Sequence, residues 1–513
     1  MIEYVQRAGN ALLHRAEGGF NRIFGNELNP LYHLGPLTFF FFWIVLVSGV
    51  YVFIFFDSNV AGAWKSVEYM THEQWWMAGI MRSLHRYASD AAVITIGLHL
   101  LREFCRDRYR GVRWFSWFTG VPTLWLVVLL GISGYWLVWD QMAQYLAMAT
   151  AELVDWLPLA PGSMASNFLE GQMTDRFFIL MVFLHLLGFP VALIFLLMTH
   201  VSRIGSVDFN PPRGLAIGTL GSLILLSIVK PAVSHPAADL YQSPITLNLD
   251  WFYLNIYPIV DMFGPGVAWT VSTSITLLFL VLPWLPPRKE RPPAVVNLDH
   301  CDGCQQCARD CPFGAVIMRP RSDGRKFEFQ PEVDPGLCTA CGLCVGACHS
   351  SNPYRQPNAT LHTGIDMPHL TIDTLRNQTV EAVRNLTGSR KIVLVGCEHC
   401  SPVHHLASSE VAPVTLPCSG MLPPSFVDYL LKKGADGVVL TGCREEDCYF
   451  RFGNRLTEQR VHGERPPKLF ARTDRGKLRI VPASPLEGGD LAKALESFKQ
   501  DLASSVGEEK KHG

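Results

Sequence analysis

Phe39-Phe40-Phe41-Phe42-Trp43-Ile44-Val45-Leu46-Val47 is an uninterrupted run of apolar side chains near the start of the chain. Crossing a bilayer takes about 20 such residues, and a soluble helix buried in a core seldom needs a run this apolar. The sequence predicts six spanning helices, at residues 35–57, 76–104, 117–139, 175–202, 213–232 and 264–286. Buried helices of a soluble protein are the alternative. Because Met1 to Pro30 carries charge and has no apolar core, we expect no cleavable signal peptide.

The charges of the loops predict the orientation in the membrane. Loop 102–113 holds five arginines, whereas loop 140–174 contains neither Lys nor Arg. Arg288, Lys289 and Arg291 follow the sixth predicted span. Since positive loops stay on the cytoplasmic side, we expect both termini and everything after residue 287 to be cytoplasmic. The predicted location is the cytoplasmic membrane of a prokaryote, as a multi-pass protein.

Composition excludes several classes of protein. The 513 residues carry a net charge of −1, so binding to nucleic acid through neutralised phosphates is not expected. Of the 14 cysteines, all but Cys105 follow residue 300. Such clustering indicates metal or redox centres in a reducing compartment and not a secreted disulfide scaffold.

Four histidines lie at matched depths of two predicted spans. His85 and His99 are on the second span, and His185 and His200 are on the fourth. Separations of 14 and 15 residues are about four helical turns. The two histidines of one span therefore lie on the same face of the helix, about 21 Å apart along its axis. We expect His85 to face His185 near the outer surface and His99 to face His200 near the cytoplasm. Two bis-imidazole sites of this kind are typical of b-type haem. A hydrogen-bonded core histidine is the alternative for any one of them.

Glycines and arginines accompany these histidines. Gly35 and Gly49 on the first span, and Gly120 and Gly134 on the third, repeat the 14-residue step and predict close approach of a haem to the backbone. Packing of small residues between helices is the alternative. Arg82, Arg86 and Arg102 flank the histidines and are predicted to pair with haem propionates, although Arg102 also fits the cytoplasmic charge cluster.

Residues 1–210 resemble the cytochrome b family, and cytochrome b6 in particular. The matching segments are Arg82-Ser-Leu-His-Arg86, Trp117-Phe-Thr-Gly120 and Gly134-Tyr-Trp-Leu-Val-Trp-Asp-Gln141. Residues 211–290, with the last two spans, resemble the separate subunit IV of the same complexes. The resemblance implies a homodimer. It also implies no covalent extra haem, since His33 stands where b6 has a cysteine.

The resemblance also implies a quinone site in the outer loop before the sixth span. Where the family has Pro-Glu-Trp-Tyr, this chain has Leu249-Asp250-Trp251-Phe252. Asp250 is the candidate acceptor of a quinol proton, and an ordinary loop acid is the alternative.

The cysteines of residues 294–350 follow a doubled pattern. Cys301, Cys304, Cys307 and Cys311-Pro312 form C-x₂-C-x₂-C-x₃-C-P, and Cys338, Cys341, Cys344 and Cys348 repeat the spacing. The pattern resembles a bacterial ferredoxin with two [4Fe-4S] clusters, in which the fourth cysteine of each run serves the other cluster. Cluster one is assigned to Cys301, Cys304, Cys307 and Cys348, and cluster two to Cys338, Cys341, Cys344 and Cys311. Zinc is the alternative.

Five more cysteines lie in residues 391–480, after a predicted linker at 351–390. Lys391–Gly396 and Gly437–Gly442 read as buried strands, each followed by a cysteine, with a helix between them. The motifs of Cys397, Cys400, Cys418, Cys443 and Cys448 resemble the delta subunit of methyl-viologen-reducing hydrogenase. That resemblance implies a [2Fe-2S] cluster held by four of the five and a flavoprotein partner. A zinc site is the alternative, and residues 481–513 are predicted to form a C-terminal helix and tail.

The expected protein is therefore multidomain: an all-α transmembrane bundle, an α+β dicluster ferredoxin and a small α/β iron–sulfur domain. Its expected function is electron transfer between the quinone pool and a cytoplasmic flavoprotein or dehydrogenase of hydrogenase, formate dehydrogenase or heterodisulfide-reductase type. The expected cofactors are two b haems, two [4Fe-4S] clusters, one [2Fe-2S] cluster and quinone. Two alternatives remain: a bc-type quinol-oxidising cytochrome b core with a Rieske partner, and a redox-sensing membrane anchor.

Overall fold

The computed structural model describes residues 2–158, 163–165, 175–204, 207–242, 246–250, 252–285 and 291–512. The chain divides into two compact units. The first contains Met1–Ser202 and Val207–Arg288, and the second contains Lys289–Gly513 with the short segment Arg203–Ser206. Trp251, Arg288, Lys289 and part of loop 140–174, which entered the predictions above, lie outside the described residues.

Each of the six predicted spans corresponds to a helical segment of the first unit. These segments are Leu34–Ile54, Ile80–Cys105, Trp114–Val138, Asp175–Val201 with an internal π-helical turn, Arg213–Val229 and Pro265–Val281. Among the described residues, four helices are long and apolar enough to cross a membrane: Leu34–Ile54, Gly111–Val138, Phe178–Val201 and Pro265–Trp284. The second segment carries more charge, and the fifth is shorter, with 17 residues.

Large apolar side chains cover the outside of these helices. Val47 is 63% exposed, Phe195 is 70% exposed and Ile217 is 73% exposed. In water such a surface would be unfavourable, because exposed apolar area costs about 25 cal/mol per Å². Lipid removes that cost, and a helix satisfies its own backbone hydrogen bonds there. The first unit is therefore a membrane domain.

The spans of the first unit pack in pairs. Leu34–Ile54 packs along Ile80–Cys105, and Trp114–Val138 packs along Phe189–Val201. An amphipathic helix that the sequence analysis did not predict, Ile2–Phe24, precedes the first span and buries Gln6, Leu13 and Glu17. The pairing brings the span with two candidate glycines against the span with two candidate histidines, once in each half of the bundle.

The ferredoxin-like part of the second unit contains two small antiparallel sheets. Strand β1 (Val295–Val296) pairs with β4 (Ile365–Asp366), and β2 (Val316–Pro320) pairs with β3 (Phe329–Val333). Short helices Gln306–Arg309 and Leu343–Ala347 contain Cys307 and Cys344, the third cysteine of each run. The strands thus frame two loops that carry thiols.

A four-stranded parallel sheet forms the rest of the second unit. Its order is β6 (Val411–Leu416), β5 (Ile392–Cys397), β7 (Gly437–Gly442) and β8 (Leu478–Pro482). Every residue of β5 and β7 is buried, which explains their continuous apolar runs. The sequence predicted these two strands and did not identify β6 or β8. The C-terminal helix spans Gly488–His512.

The segment predicted as a linker packs into a core. Its helix, Ile372–Arg384, buries Ile372, Leu375 and Val383 in a hydrophobic cluster. The same cluster contains Cys344 of the ferredoxin-like part and Val393 of the sheet. The ferredoxin-like part and the α/β part therefore share one core, to which this helix contributes.

Candidate redox centres

His85 and His185 face each other in the first unit. Their ring centroids are 6.3 Å apart, with planes inclined at 65°. A metal bound to an imidazole nitrogen lies about 2 Å from it, so one metal ion fits between the two rings. A π-helical turn, Trp75–Gly79, precedes the helix of His85, and a second one, Leu184–Gly188, contains His185. Such turns are rare and often occur at functional sites.

Hydrogen bonds orient three of the four histidine rings. Nδ1 of His85 lies 2.9 Å from the carbonyl oxygen of Val45, and Nδ1 of His185 lies 3.0 Å from Oγ of Ser133. Nδ1 of His200 lies 3.3 Å from Oγ1 of Thr119. A partner on Nδ1 turns the opposite nitrogen, Nε2, toward a metal.

His99 and His200 form the second pair. They lie close enough for their charges to interact. The structure thus brings together both histidine pairs that the spacing predicts.

Glycines of the neighbouring spans lie directly against three of these rings. A Cβ atom placed on Gly49, Gly134 or Gly120 would lie 2.8, 3.0 or 3.2 Å from Cε1 of His85, His185 or His200, respectively. At Gly35 an added Cβ would meet no atom within 4 Å, which leaves open space beside the first span. Three of the four glycines of the 14-residue repeat therefore bring their backbone close to a histidine ring, and the fourth, Gly35, has open space beside it.

A sequence signal next to these glycines was missed. The residue before each of three glycines carries a hydroxyl group: Ser48-Gly49, Thr119-Gly120 and Ser133-Gly134. All three hydroxyl oxygens lie within 3.3 Å of a histidine Nδ1. The pair of a hydroxyl residue and a glycine thus lies against three of the four rings, and it is readable from the sequence.

The three predicted propionate partners have protein acceptors in the structure. Arg82 donates to Thr71 and, over 2.8 Å, to Ser234. Arg102 donates to Glu17, which is fully buried and also pairs with Arg106 at 2.6 Å. Glu17 belongs to the unpredicted helix Ile2–Phe24, and no local pattern in the sequence indicated its role. Pairing of these arginines with propionates remains a prediction.

Asp250 forms an ion pair with Arg86, the residue that follows His85 in the sequence. Its carboxylate accepts hydrogen bonds from Arg86 at 2.6 Å and from the Tyr135 hydroxyl at 2.7 Å. Burial raises the pKa of Asp250, but the hydrogen bonds from Arg86 and Tyr135 outweigh it and hold the pKa below its ordinary value. A carboxylate stabilised in this way accepts a proton poorly as long as its ion pair with Arg86 is intact. Arg86, which the sequence assigned to a propionate, also pairs with Asp90 at 2.6 Å.

The ferredoxin-like part gathers its eight cysteines around two cavities. The first cavity is lined by Cys301, Cys304, Cys307 and Cys348. The second is lined by Cys311, Cys338, Cys341 and Cys344. In each set three cysteines come from one loop and the fourth from the other, as expected for two [4Fe-4S] clusters. None of these cysteines forms a disulfide, so the thiols remain available as ligands.

The five cysteines after residue 390 lie at the carboxyl edge of the parallel sheet. Cys397 ends β5, Cys418 follows β6 and Cys443 follows β7. Ligands of open parallel sheets bind at this edge. Cys397, Cys400, Cys443 and Cys448 form one buried group, in which the sulfur atoms of Cys397 and Cys443 are 3.6 Å apart. Cys418 is buried too, and it packs against Phe313 and Cys341.

Three known families match successive parts of the chain. The cytochrome b/b6/petB family matches residues 21–206, the 4Fe-4S dicluster domain matches residues 300–352, and the delta subunit of methyl-viologen-reducing hydrogenase matches residues 388–504. The chain is a fusion of three redox modules. The predicted three-part fusion and the predicted fold class are thereby confirmed.

Individual relatives match the first module of this fusion. The cytochrome b subunit of menaquinol:cytochrome c reductase from Bacillus subtilis (strain 168) is 28% identical over 200 residues, which are 36% of this chain and 87% of the relative. Cytochrome b6 of Heliobacterium mobile is 29% identical over 192 residues, 36% of this chain and 88% of the relative. A chain of a hyperthermophilic respiratory complex III aligns with 50% of this chain and 75% of its own length, at 19% identity and a TM-score of 0.41.

These findings define the general class of the protein. The chain is a membrane-bound electron-transfer component related to quinone-linked complexes. The cytochrome b match implies b-type haem, and the dicluster match implies [4Fe-4S] clusters. The histidine pairs and the two sets of four cysteines are residues of the kind that bind these groups.

Proposed function

We propose that this chain carries electrons between a soluble flavoprotein or dehydrogenase and the membrane quinone pool. The main support is that one chain combines paired histidines in a membrane domain with three groups of cysteines outside it. Haem and iron–sulfur clusters, when bound, supply one-electron chemistry, and the protein positions them. His85 and His185 would hold the outer haem, and His99 and His200 the inner haem.

The proposed iron–sulfur content is two [4Fe-4S] clusters and one [2Fe-2S] cluster. Cluster one would use Cys301, Cys304, Cys307 and Cys348, and cluster two Cys311, Cys338, Cys341 and Cys344. Four of the five C-terminal cysteines would hold the [2Fe-2S] cluster. With both termini cytoplasmic, as the loop charges predict, all three clusters would be on the cytoplasmic side.

The proposed partner is a cytoplasmic flavoprotein or dehydrogenase subunit of hydrogenase, formate dehydrogenase or heterodisulfide-reductase type. The match to a hydrogenase delta subunit over residues 388–504 supports this choice. The proposed membrane partner is quinone, supported by a relative whose name includes menaquinol. Two copies of the chain would form a homodimer, by analogy with cytochrome b.

The proposed direction is reduction of quinone by the cytoplasmic donor. A reduced flavin would release two electrons and its protons, and quinone would take up two electrons and two protons to form quinol. Moving a charge against the membrane potential costs about 2.3 kcal/mol per 100 mV. Reduction at the outer face near Asp250 would carry this cost, whereas reduction at an inner-face site would be nearly neutral. Oxidation of quinol at the outer face would need a proton acceptor, and Asp250 is a poor one while it is paired with Arg86.

Purification of the full chain in mild detergent tests the proposal. We expect a low-spin b-type optical spectrum with about two haems, about ten cluster irons per chain and EPR signals of both cluster types. Partner subunits should co-purify. Absence of the low-spin haem spectrum would overturn the proposal.

Two other functions predict different results. A bc-type quinol oxidase core would retain a tightly bound Rieske protein after purification. A redox-sensing membrane anchor would keep quinone-linked electron transfer after replacement of His99, whereas our proposal predicts its loss.

A further inference from the structure

The five C-terminal cysteines divide into a group of four and a single residue. Cys397 and Cys400 are separated by two residues, and Cys443 and Cys448 by four. Both spacings occur among the ligands of [2Fe-2S] ferredoxins. The four side chains form one buried cluster, and contacts link Cys400 to Cys397, Cys397 to Cys443 and Cys443 to Cys448. Two thiolates for each of two irons are thus supplied without Cys418.

Cys418 belongs to a different contact group. It packs with Cys341, Leu343 and Phe313 of the ferredoxin-like part and with Phe450. It is also close enough to Cys448 and Cys397 of the group of four, and to Cys341, for the charges of their thiolates to interact. A Cβ atom on Gly453 would overlap the sulfur of Cys418 and lie 3.5 Å from the sulfur of Cys448. Cys418 therefore stands between the group of four and a proposed ligand of cluster two.

We infer that Cys418 is the one non-ligand among the five, and that it fills the contact through which electrons pass between the [2Fe-2S] cluster and cluster two. This inference rests on the proposed function. In each transfer the reduced [2Fe-2S] cluster loses one electron and the oxidised [4Fe-4S] cluster gains it, with no bond made or broken. The reduced flavoprotein supplies the electron. Cluster two then precedes cluster one in the sequence of carriers.

A buried ion pair fixes this contact. Arg460 is fully buried, pairs with Asp310, and donates to the carbonyl oxygen of Gly420 at 2.8 Å. Asp310 directly precedes the cluster-two ligand Cys311, and Gly420 follows Cys418 by two residues. Arg465 adds a second bond to Asp310, at 2.7 Å. Because a buried charge must keep its partner, the two parts cannot separate at this point without a large energetic cost.

The ferredoxin-like part and the α/β part also approach each other closely beside this ion pair. A Cβ atom on Gly346, two residues after the cluster-two ligand Cys344, would overlap the carbonyl group of Gly420. The side chain of Met421 lies against Gly342 in the same way, at 2.6 Å from an added Cβ. Close approach at these two glycines brings the loop of Cys341 and Cys344 directly against Gly420 and Met421, which shortens the distance between the two cysteine groups.

The first test separates ligand from non-ligand. Cys418→Ala is compared with Cys400→Ala in the full chain, each purified in mild detergent and measured for iron content and EPR. We expect Cys418→Ala to keep about ten non-haem irons and the [2Fe-2S] signal, and Cys400→Ala to fall to about eight non-haem irons and lose that signal. Loss of the [2Fe-2S] signal in Cys418→Ala would overturn the inference. Failure of the wild-type chain to contain the clusters would instead overturn the proposed function.

The second test identifies the neighbouring cluster. The spin relaxation of the reduced [2Fe-2S] cluster should become faster when cluster two is also reduced. In a redox titration of the wild-type chain, this effect should begin at the potential of only one of the two [4Fe-4S] clusters. The effect should persist in Cys304→Ala, which disturbs cluster one. Relaxation that follows cluster one, or neither cluster, would overturn the proposed order.

Discussion

The two units of this chain collect metal-binding side chains in opposite ways. In the membrane unit the candidate ligands are 14 or 15 residues apart on two long helices, and the rings of one pair meet with centroids 6.3 Å apart. In the second unit most candidate ligands are separated by two or three residues within loops that line a cavity. Helix packing therefore determines the first type of site, whereas local loop conformation determines most of the second.

This difference has a consequence for tolerance to change. A histidine site in the membrane unit depends on two helices and on the glycines between them. A cysteine loop keeps three ligands in place by itself, but it needs the partner loop for the fourth. We therefore expect loss of a histidine in the membrane unit to remove one centre and leave the others, and loss of a packing contact in the second unit to affect all of its clusters together.

The strongest test of this contrast is His185→Ala. Because His185 faces His85, its loss should remove one of two axial ligands and lower the haem content from about two to about one per chain. Iron–sulfur EPR signals should not change. Optical and EPR spectra of the purified chain measure both.

The matched control is His72→Ala. His72 is exposed and lies 3.2 Å from Glu68. It should leave the haem content unchanged. Loss of cluster signals in His185→Ala, or equal haem loss in the control, would contradict the separation of the two kinds of site.

The second test concerns the shared core. Arg460→Leu leaves Asp310 buried with Arg465 as its remaining basic partner, and breaking a buried pair costs about 3 to 5 kcal/mol. We expect a lower midpoint for thermal loss of the iron–sulfur absorbance, affecting all clusters together, with the haem spectrum retained. The control is Arg479→Leu, which removes an exposed pair with Asp501 that is worth about 0 to 1 kcal/mol. Equal midpoints for the two variants would contradict the role assigned to Arg460.

Local patterns made much of the redox machinery predictable. The cysteine spacing predicted which eight thiols share which cavity, because a loop of fixed length places its thiols in a limited space. The histidine and glycine steps predicted which rings meet, because a helix repeats its faces regularly. Both kinds of prediction depend on neighbours in the sequence.

Contacts between distant residues could not be predicted in this way. Arg460 and Asp310 are 150 residues apart, and neither has a periodic pattern around it. Glu17 reaches Arg102 from a helix whose mixed composition resembled a surface segment. Strands β6 and β8 were missed because they are only partly buried, so their apolar residues form no continuous run. The packing of Cys418 against Cys341 likewise appears only once both parts fold together.

A third test sharpens the account of the membrane unit. In Gly134→Ala the new methyl group would lie 3.0 Å from Cε1 of His185, which forces the ring to shift. Overpacking of this kind costs about 1 to 3 kcal/mol, and we expect a changed outer-haem spectrum and potential with the inner haem unaffected. Gly218→Ala is the control, since an added Cβ there meets nothing within 4 Å. Identical spectra for both variants would show that Gly134 does not position the ring.

The smallest expected effect comes from a carboxyl group in the second unit. Asp366 accepts hydrogen bonds from the backbone of Met367 and Ile372 at 2.8 and 3.0 Å, and burial raises its pKa from 3.8 to about 6. The folded state therefore holds the proton more tightly than the unfolded state does. Its contribution to stability is lost as the pH rises from about 4 to about 6.

Asp366→Asn keeps an acceptor oxygen and removes the buried charge. We expect the variant to be more stable than the wild type at pH 8 by about 1 to 2 kcal/mol, after allowance for partial exposure, with the gap narrowing toward pH 5. Thermal midpoints of the iron–sulfur absorbance at several pH values measure the gap. Asp490→Asn, at an exposed position of the C-terminal helix, removes the same charge without burial. If the stability difference between the variant and the wild type instead widened toward pH 5, Asp366 would be ionised and stabilising in the folded state. The core that joins the two cysteine-rich parts would then be more polar around Asp366 than the structure indicates.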